Sequence, residues 1–447
     1  MLANSDDKIF DPFASDRANE SNNASFSYDT FDNLRVACSF HLPSEVKNIK
    51  LDTAKLNIFH VNTRSIVNKY DDLCNLLIET GITWHIISVS ETWLSKSLEH
   101  RYNIPNFNAF FCNRQSGAGG GSALYIADHL CPERLDNPVF TTAEVVCASA
   151  KMPDNSNVII CQVYKSPNTD RFQFISELEQ CLIWLSKLNK TTLITGDFNF
   201  DLFSMQSNSL VQTFFSNMLS HGFFPTISKT TRFVHPSSTL LDNIFCNDLS
   251  KVIHSGIILS DLSDHFPIFT SLGCCVSSEY NAQSSIQDMF NYKRISEFNQ
   301  FLVEKLIDIE DELCPDAIAS KIVNTYKEGI MKFSYSKRLS RKNTPRRPWI
   351  SPAIMISIAH ENALFKEKLK DPSPQNVLKY NKYRNILGMV IRIAKKKHYQ
   401  QEFAKHSSNS RETWKTLQTL IKSKQKQTLL QKRLLMTMAT LLLMMQT

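Results

Sequence analysis

The sequence predicts an α/β protein with large β-sheets, followed by a basic α-helical extension. Short apolar runs typical of buried strands recur between residues 55 and 275, and helical patterns separate some of them. The strand signals stop after Cys275. A content of 42% hydrophobic and 21% charged residues is ordinary for a globular protein and excludes a wholly disordered chain.

Apolar periodicity places the predicted elements along the chain. Strands are predicted at residues 56–61, 82–89, 123–127, 144–150, 158–164, 192–195, 242–246, 252–259 and 266–272. Helices are predicted at Tyr70–Thr80, Arg171–Leu188 and Ser209–His221, and residues 286–335 also have a helical pattern. This mixture over roughly 220 residues indicates one α/β domain.

Changes in composition divide the chain into five predicted segments. They are a flexible polar arm at 1–50, the α/β domain at 51–275, a helical connector with a basic, proline-broken linker at 276–348, a basic helical segment at 349–424, and a low-complexity tail at 425–447.

Charge is distributed unevenly between the two parts of the chain. Residues 1–275 contain 20 Lys and Arg against 28 Asp and Glu, whereas residues 276–447 contain 30 against 15. A basic segment beside an acidic body is typical of proteins that bind a polyanion, most often nucleic acid. A solvated basic helix explains the composition equally well.

Cysteine usage and the chain ends predict an intracellular protein. The eleven cysteines are sparse and odd in number, form no C-x-x-C pair, and lie in apolar runs, which is typical of free thiols in a reducing compartment. The first residues lack the pattern of a signal peptide. The longest charge-free apolar stretch, Leu434–Met445, is too short to span a bilayer, so no membrane partner is expected.

Polar residues suited to phosphate or metal chemistry follow several predicted strands. In chain order they are Asn62, Glu91, Tyr164, Asp197 with Asn199, Asp242, and Asp264 with His265. Asp197 and Asn199 are two residues apart, so their side chains leave an extended backbone on the same side. Each position alone is explained equally well by a turn or a helix cap. Six such strand ends together favour an active-site rim.

The ordered motifs of residues 55–275 resemble the exonuclease–endonuclease–phosphatase superfamily, and in particular the apurinic-like endonuclease domain of non-LTR (LINE-type) retrotransposons. The motifs, from residue 60 onward, are HVNTRSIVNKYDDL, SETWL, GGGSALYI, VYKSPN, GDFN, TLLDNIF and SDHFP. The resemblance implies a four-layer fold, in which two mixed β-sheets pack face to face between helices. Residues 349–424 resemble, more weakly, the helical segment before the reverse transcriptase of such elements.

Roles follow from the resemblance position by position. Glu91 would be the main ligand of a Mg²⁺ ion, or of Mn²⁺ in its place, with Asn62 nearby and Asp264 as a further acid near the metal. Asp197 would activate the attacking water and Asn199 would orient it. Asp242 would hold His265, which would contact the scissile phosphate, and Tyr164 would contact the phosphate or assist the leaving group.

The donor set agrees with a hard cation, because the sequence shows no Cys/His ligand cluster. Arg114 and Arg232, on predicted loops near the site, and Asn168 in VYKSPN are candidates for contacting DNA, although either arginine fits a solvated charge equally well. Two departures stand out: Arg64 occupies a position that is acidic in some relatives, and Ser166 replaces a proline. The triple glycine 119–121 precedes a strand and therefore does not predict a phosphate-binding loop.

The leading prediction is a Mg²⁺-dependent endonuclease that nicks DNA to leave a 3′-hydroxyl, acting in the nucleus, as part of a truncated retrotransposon protein. The basic C-terminal half would also offer a binding surface for element RNA. Two alternatives stay open. One is a phosphatase or phospholipase of the same superfamily, and the other is a catalytically decayed product that only binds nucleic acid.

Overall fold

The computed structural model describes residues 38–49, 55–115, 117, 119–234, 237–275, 286–290, 294–306, 315–338 and 348–405. Most of the predicted N-terminal arm, the basic linker before Pro348 and the predicted tail lie outside the described residues. Within the described part, residues 38–275 and 348–405 form one compact unit and residues 286–338 another. No described helix is long and apolar enough to cross a membrane.

Strands dominate the larger unit. They are β1 (Cys38–His41), β2 (Lys55–Asn62), β3 (Ile86–Ser90), β4 (Phe107–Cys112), β5 (Ser122–Ala127), β6 (Glu133–Leu135), β7 (Ala143–Lys151), β8 (Asn157–Lys165), β9 (Thr191–Asp197), β10 (Phe224–Pro225), β11 (Arg232–Val234), β12 (Ser237–Thr239), β13 (Asp242–Cys246), β14 (Val252–Ile258) and β15 (Ile268–Cys275).

These strands form two large mixed sheets and one short hairpin. The first sheet has the order β1-β14-β15-β2-β3-β5-β4, the second has the order β10-β13-β9-β8-β7-β6, and β11 pairs with β12 alone. Two pairs in the first sheet, β1 with β14 and β2 with β3, and one in the second, β8 with β9, are parallel. The remaining pairs are antiparallel.

Four helices of this unit lie between its strands. They are α1 (Pro43–Val46), α2 (Tyr70–Glu79), α3 (Arg171–Lys187) and α4 (Ser209–Ser220), with 3-10 turns at Lys47–Ile49, Glu99–Arg101, Asp128–Leu130, Leu202–Ser204 and Leu249–Lys251. Asp170 caps α3 by accepting the amide hydrogen of Gln173, and Asn208 caps α4 in the same way. Such caps satisfy donors that a helix start leaves unpaired.

The core confirms the predicted fold class. One hydrophobic cluster joins the facing sides of the two sheets, including Ile58 and Ile194, with α3 and α4 through Leu182 and Phe214. A second cluster packs α2 against the opposite side of the first sheet. The result is two mixed sheets with flanking helices.

The smaller unit corrects one prediction. It contains β16 (Ile286–Phe290), α5 (Ile295–Leu306), α6 (Pro315–Phe333) and β17 (Ser334–Arg338), and the two strands pair antiparallel. The predictions that strands stop after Cys275 and that residues 286–335 are helical throughout were therefore wrong. Each strand has five residues and its partner is nearly fifty residues away, so no local periodicity reveals the pairing.

The basic extension contains the predicted helices. They are α7 (Pro352–Lys370) and α8 (Pro374–Lys405), and we call the pair the C-terminal hairpin. It packs on α1 and α2 of the same unit through basic and polar side chains that meet acidic ones. The cross-contacts are Lys366 to Glu45 at 3.4 Å, Asn362 to Glu79 at 2.9 Å, and Lys395 to Asp71 at 2.5 Å.

Candidate active site

The ends of five strands meet at one edge of the two packed sheets. Asn62 ends β2 and Glu91 follows β3, which runs parallel to β2 in the first sheet. In the second sheet Asp197, the last residue of β9, pairs in register with both Tyr164 of β8 and Asp242 of β13. The sheet topology therefore brings together the polar residues that the sequence places at separate strand ends.

Gly196 is required for the close approach of β8 and β9. A Cβ atom at this position would lie 1.8 Å from the carbonyl oxygen of Val163. After Asp197 the chain turns, and Asn199 adopts a left-handed conformation with φ of 51°. The Asn199 amide then donates to the Lys165 carbonyl oxygen at 2.7 Å and lies 3.3 Å from Oδ2 of Asp197. Gly196 therefore lets β8 and β9 lie close together, and the turn after Asp197 brings the Asn199 side chain back beside the Asp197 carboxylate.

Asn62 bridges two carboxylates. Its Nδ2 donates to Oε1 of Glu91 at 2.9 Å and to Oδ2 of Asp197 at 2.8 Å. Its Oδ1 accepts the backbone amide hydrogen of Arg64 at 3.0 Å. In this rotamer the amide nitrogen, and not the oxygen, faces the two acids.

The turn that carries Glu91 is supported by the triple-glycine segment. Glu91 has a left-handed backbone with φ of 54°. The backbone amides of Thr92 and Trp93 donate to the carbonyl oxygens of Gly121 and Gly120 at 3.2 and 2.9 Å. The Trp93 indole Nε1 donates to Oε2 of Glu91 at 3.1 Å. The glycines therefore support the position of an acidic side chain.

Asp242 accepts hydrogen bonds from two histidines. Nδ1 of His265 lies 2.7 Å from Oδ2, and Nε2 of His60 lies 3.4 Å from Oδ1. Burial alone would lower the pKa of His265, but the charges of Asp242 and Asp197 raise that pKa to about 9. Burial alone would raise the pKa of Asp242, but His265 and His60 hold it well below its usual range.

The sequence analysis missed His60. It lies on β2 two residues before Asn62, so both side chains point to the same side of the strand. The ring is fully buried, and its Nδ1 lies 3.0 Å from the hydroxyl of Ser88. The two-residue spacing between His60 and Asn62 was the sequence feature that could have identified His60 as a site residue.

Asp197 is in a different electrostatic environment from its neighbour Asp242. Its side chain is 1% exposed, and burial together with the negative charge of Asp242 raises its pKa. Neutral donors surround it, namely the amide groups of Asn62 and Asn199. A carboxylate with a raised pKa is suited to accept a proton from water near neutral pH.

Asp264 lies between two arginines. Nη1 of Arg64 and Nε of Arg232 lie 3.1 and 3.0 Å from its Oδ2. Burial opposes ionisation, but His265 and both arginines hold the pKa of Asp264 below its usual range. Its Oδ1 is buried and accepts no hydrogen bond from the described residues. Arg232, a candidate for DNA contact, is therefore already paired with an acid at the site.

Tyr164 lies beneath a second paired arginine. The Arg114 guanidinium lies 5.9 Å from the Tyr164 ring centroid and binds Glu144 at 2.6 Å. Burial and the charges of Glu91 and Asp197 raise the pKa of the phenol, so Tyr164 is neutral and able to donate. Asn168, the third candidate for DNA contact, is exposed on the loop after β8.

The residues at this edge fit a hard divalent cation. Glu91, Asp197 and Asp264 offer carboxylate oxygens, and one oxygen of Asp264 is buried without a hydrogen-bond donor. Oxygen donors of this kind suit Mg²⁺, which accepts few protein ligands and retains water. Ligand atoms of Asp197, Asp242 and His265 also lie within 4.8 Å of one another, although the histidine bond to Asp242 already explains that group.

The structure corrects the prediction that no Cys/His ligand cluster is present. Cys147 and Cys161 are register partners on β7 and β8, with sulfurs 2.9 Å apart, and Cys181 of α3 completes a buried group. These thiols lie in the hydrophobic core. No local pattern indicates this group, because its three members come from separate elements.

Comparison with known proteins agrees with this geometry. Residues 50–265 match the endonuclease/exonuclease/phosphatase family. The match covers just under half of the chain and includes every residue described above at the edge of the sheets. Residues 50–265 are thus similar to a family of hydrolases that act on phosphodiester bonds, and enzymes of that family generally depend on a divalent metal ion.

Three solved structures illustrate the similarity of fold. The endonuclease domain of TRAS1, a telomere-specific non-LTR retrotransposon, is 12% identical, with a TM-score of 0.40, and the alignment covers 49% of this chain and 98% of that one. The AP endonuclease LMAP from Leishmania major is 12% identical, with a TM-score of 0.41 and coverage of 50% and 90%. The Xenopus laevis APE2 catalytic domain is 16% identical, with a TM-score of 0.41 and coverage of 49% and 92%. No curated protein sequence matches the chain.

Proposed function

We propose that the chain is a Mg²⁺-dependent phosphodiesterase that nicks DNA to leave a 3′-hydroxyl, as the endonuclease part of a non-LTR retrotransposon protein. The observation that carries the proposal is the pairing of Asp197 with Asp242. One acid has a raised pKa and accepts hydrogen bonds from two amides, while the other is paired with a protonated histidine. A base and a positively charged group thus lie at one site.

Each of these residues has a separate role in phosphodiester cleavage. Asp197 takes the proton of the attacking water, and the Asn199 and Asn62 amides hold that carboxylate in place. His265, protonated at neutral pH, donates to a phosphoryl oxygen as negative charge builds there. The neutral phenol of Tyr164 donates a hydrogen bond to the phosphate.

Glu91, with Asp264 nearby, would hold the metal ion, which when bound would supply positive charge to the phosphate and the leaving oxygen. For the Asn62 amide to offer its oxygen to a metal, it must rotate and give up its bond to the Arg64 amide. In its present rotamer, Asn62 therefore separates the Glu91 and Asp197 carboxylates without adding charge.

DNA is the proposed substrate because arginines lie at this edge of the sheets, with Arg64 and Arg232 beside Asp264 and Arg114 over the Tyr164 ring. Arg114, Arg232 and the exposed Asn168 are the proposed backbone contacts, and the basic C-terminal half is a further surface for DNA or RNA. Both arginines are held by acids, so a phosphate would have to share or replace those partners.

A nicking assay with the full chain tests the proposal. Supercoiled plasmid should become open circle with Mg²⁺ and stay supercoiled with EDTA, and a DNA polymerase should extend the nick without prior end repair. Glu91→Gln should require a higher Mg²⁺ concentration for half-maximal rate, whereas Glu133→Gln, in the exposed strand β6, should behave as the parent. No nicking by the pure parent, combined with release of phosphate from small phosphomonoesters or headgroups from phospholipids, would favour the other superfamily chemistry.

A further inference from the structure

A nine-residue loop carries two of the candidate site residues. It comprises residues 259–267 between β14 and β15, and it contains Asp264 and His265. Its second half is held by the domain, since the Ser263 hydroxyl donates to the Asn62 carbonyl oxygen at 2.6 Å. The Phe266 amide donates to the Thr231 carbonyl oxygen at 2.6 Å.

The first half of this loop is held by the C-terminal hairpin. The hydroxyl of Tyr380, on α8, donates to Oδ2 of Asp261. Nε of Arg384, one helical turn further along, lies 2.8 Å from the same oxygen. Asp261 is three residues before Asp264 and four before His265. Its side chain is only 25% exposed, so its two partners are needed to offset its burial.

An aromatic contact holds the loop from the other side of His265. The Phe266 ring lies 6.4 Å from the Phe365 ring of α7, and Phe365 lies 5.4 Å from Tyr380. The Lys368 ammonium lies 4.5 Å from the centroid of the Tyr380 ring. Tyr380 is 1% exposed, which is unusual for a residue of a helix that is mostly exposed. The hairpin therefore contacts the loop on both sides of the histidine.

Two further acids lie close to this contact. Glu361 of the hairpin and Asp72 of α2 both interact electrostatically with Asp261 and Arg384, and partial removal from water together with the neighbouring negative charges raises their pKa values to about 8 and about 6. Arg384 thus has several acidic partners, of which Asp261 is the one in direct contact.

We propose that Tyr380 and Arg384 are positioning residues for His265, so that the hairpin, which lies outside the family match, holds the catalytic loop in its working conformation. The inference rests on the proposed function for its kinetic readout. A misplacement of about 1 Å at a reacting group costs up to roughly 10²-fold in rate. Loss of the hairpin contacts should therefore lower kcat and leave KM near the parent value.

The test uses the full chain with single-atom changes. Tyr380→Phe removes only the hydroxyl that reaches Asp261, and Asp261→Asn removes only the charge that Arg384 meets. Tyr383→Phe is the matched control, because Tyr383 is on the same helix and its ring lies 4.9 Å from His360 within the hairpin. We expect kcat for plasmid nicking to fall between about 10-fold and 100-fold in the first two variants and to be unchanged in the control.

A second pair of measurements separates positioning from general destabilisation. In a His265→Ala background, Tyr380→Phe should have no further effect on kcat, whereas an equal further loss would overturn the proposal. Hydrogen exchange of a peptide spanning residues 259–267 should be faster in Tyr380→Phe than in Tyr383→Phe, whether or not the parent is active. Unchanged exchange would overturn the hairpin's role. An inactive parent with faster exchange in Tyr380→Phe would count against the proposed function alone.

Discussion

Asp197 and Asp242 are direct register partners on neighbouring antiparallel strands, and both are almost completely buried. Two acids this close do not ionise equally, because each charge raises the pKa of the other. Asp242 has His265 and His60 as partners and keeps its charge, while Asp197 has only neutral donors and binds a proton more readily. The pairing of these two strands therefore places Asp242, whose pKa is lowered, beside Asp197, whose pKa is raised.

The Asp242–His265 pair predicts a pH-dependent stability. The pKa of His265 is raised from its ordinary value near 6.5 to about 9 in the folded state. The contribution of His265 to the free energy of unfolding is complete below about pH 6.5 and disappears as pH rises to about 9. Asp242→Asn should therefore cost roughly 3 kcal/mol near pH 6 and much less near pH 9.5.

Thermal denaturation of the parent and of Asp242→Asn between pH 6 and 9.5 measures the difference in stability. Asp154→Asn, in an exposed turn, is the control and should follow the parent at every pH. A difference for Asp242→Asn that stays constant from pH 6 to 9.5 would contradict a charged pair.

Gly196 predicts a steric effect on stability. An added methyl group would lie 1.8 Å from a β8 carbonyl oxygen, so the two strands must separate or the chain must shift. Gly196→Ala should lower the free energy of unfolding by about 3 kcal/mol. Gly388→Ala, on α8 with no atom within 4 Å of the new methyl group, should raise it by up to about 1 kcal/mol. Urea denaturation of both variants would reveal any reversal of this order.

His60 predicts a smaller catalytic effect than His265. His60→Gln removes one of two histidine donors from Asp242 and leaves the shorter bond intact. We expect kcat to fall about tenfold, against roughly 10²–10⁴-fold for His265→Ala. Single-turnover nicking rates decide this, and equal losses in both variants would assign His60 a direct role.

The contacts and exposure of the lysines in the C-terminal hairpin predict which of them bind DNA. Lys366 is paired with Glu45, whereas Lys396 and Lys397 are exposed on α8. If the exposed pair contacts phosphates, replacing both with Gln should reduce the slope of log affinity against log salt by up to about 1.8. Lys366→Gln should leave the slope unchanged. Fluorescence anisotropy with a non-specific duplex at several salt concentrations provides the slopes, and equal slopes for all proteins would exclude Lys396 and Lys397 from the interface.

Local patterns predicted the fold class because the buried strands are apolar and short, and because Gly196 and Asp197 mark a strand end. The position of Asn62 and Glu91 beside Asp197 followed from the family resemblance, because periodicity along the chain does not show which strands are neighbours. The roles of these residues stay predictions. His60 was missed because a histidine in an apolar strand has the same local pattern whether it fills the core or contacts an acid.

Contacts between distant segments were beyond the sequence analysis. The pairing of β16 with β17 and the meeting of Cys147, Cys161 and Cys181 depend on residues far apart in the chain. The surplus basic charge was interpreted as a nucleic-acid surface, but part of it is neutralised by the acidic face of the domain, as Lys395 with Asp71 shows. Opposite net charges of two segments favour this association as strongly as a nucleic-acid partner.

The hairpin also sets an order of events during synthesis. When a ribosome has made β15, the strands of the catalytic domain are all available, yet Tyr380 and Arg384 are still more than a hundred residues away in the message. At ordinary translation rates this interval is roughly 5–20 s. If those two residues hold the loop, a nascent chain or a fragment released early would contain the strands of the domain without the contacts that position His265. Full activity would then require that synthesis has passed the hairpin.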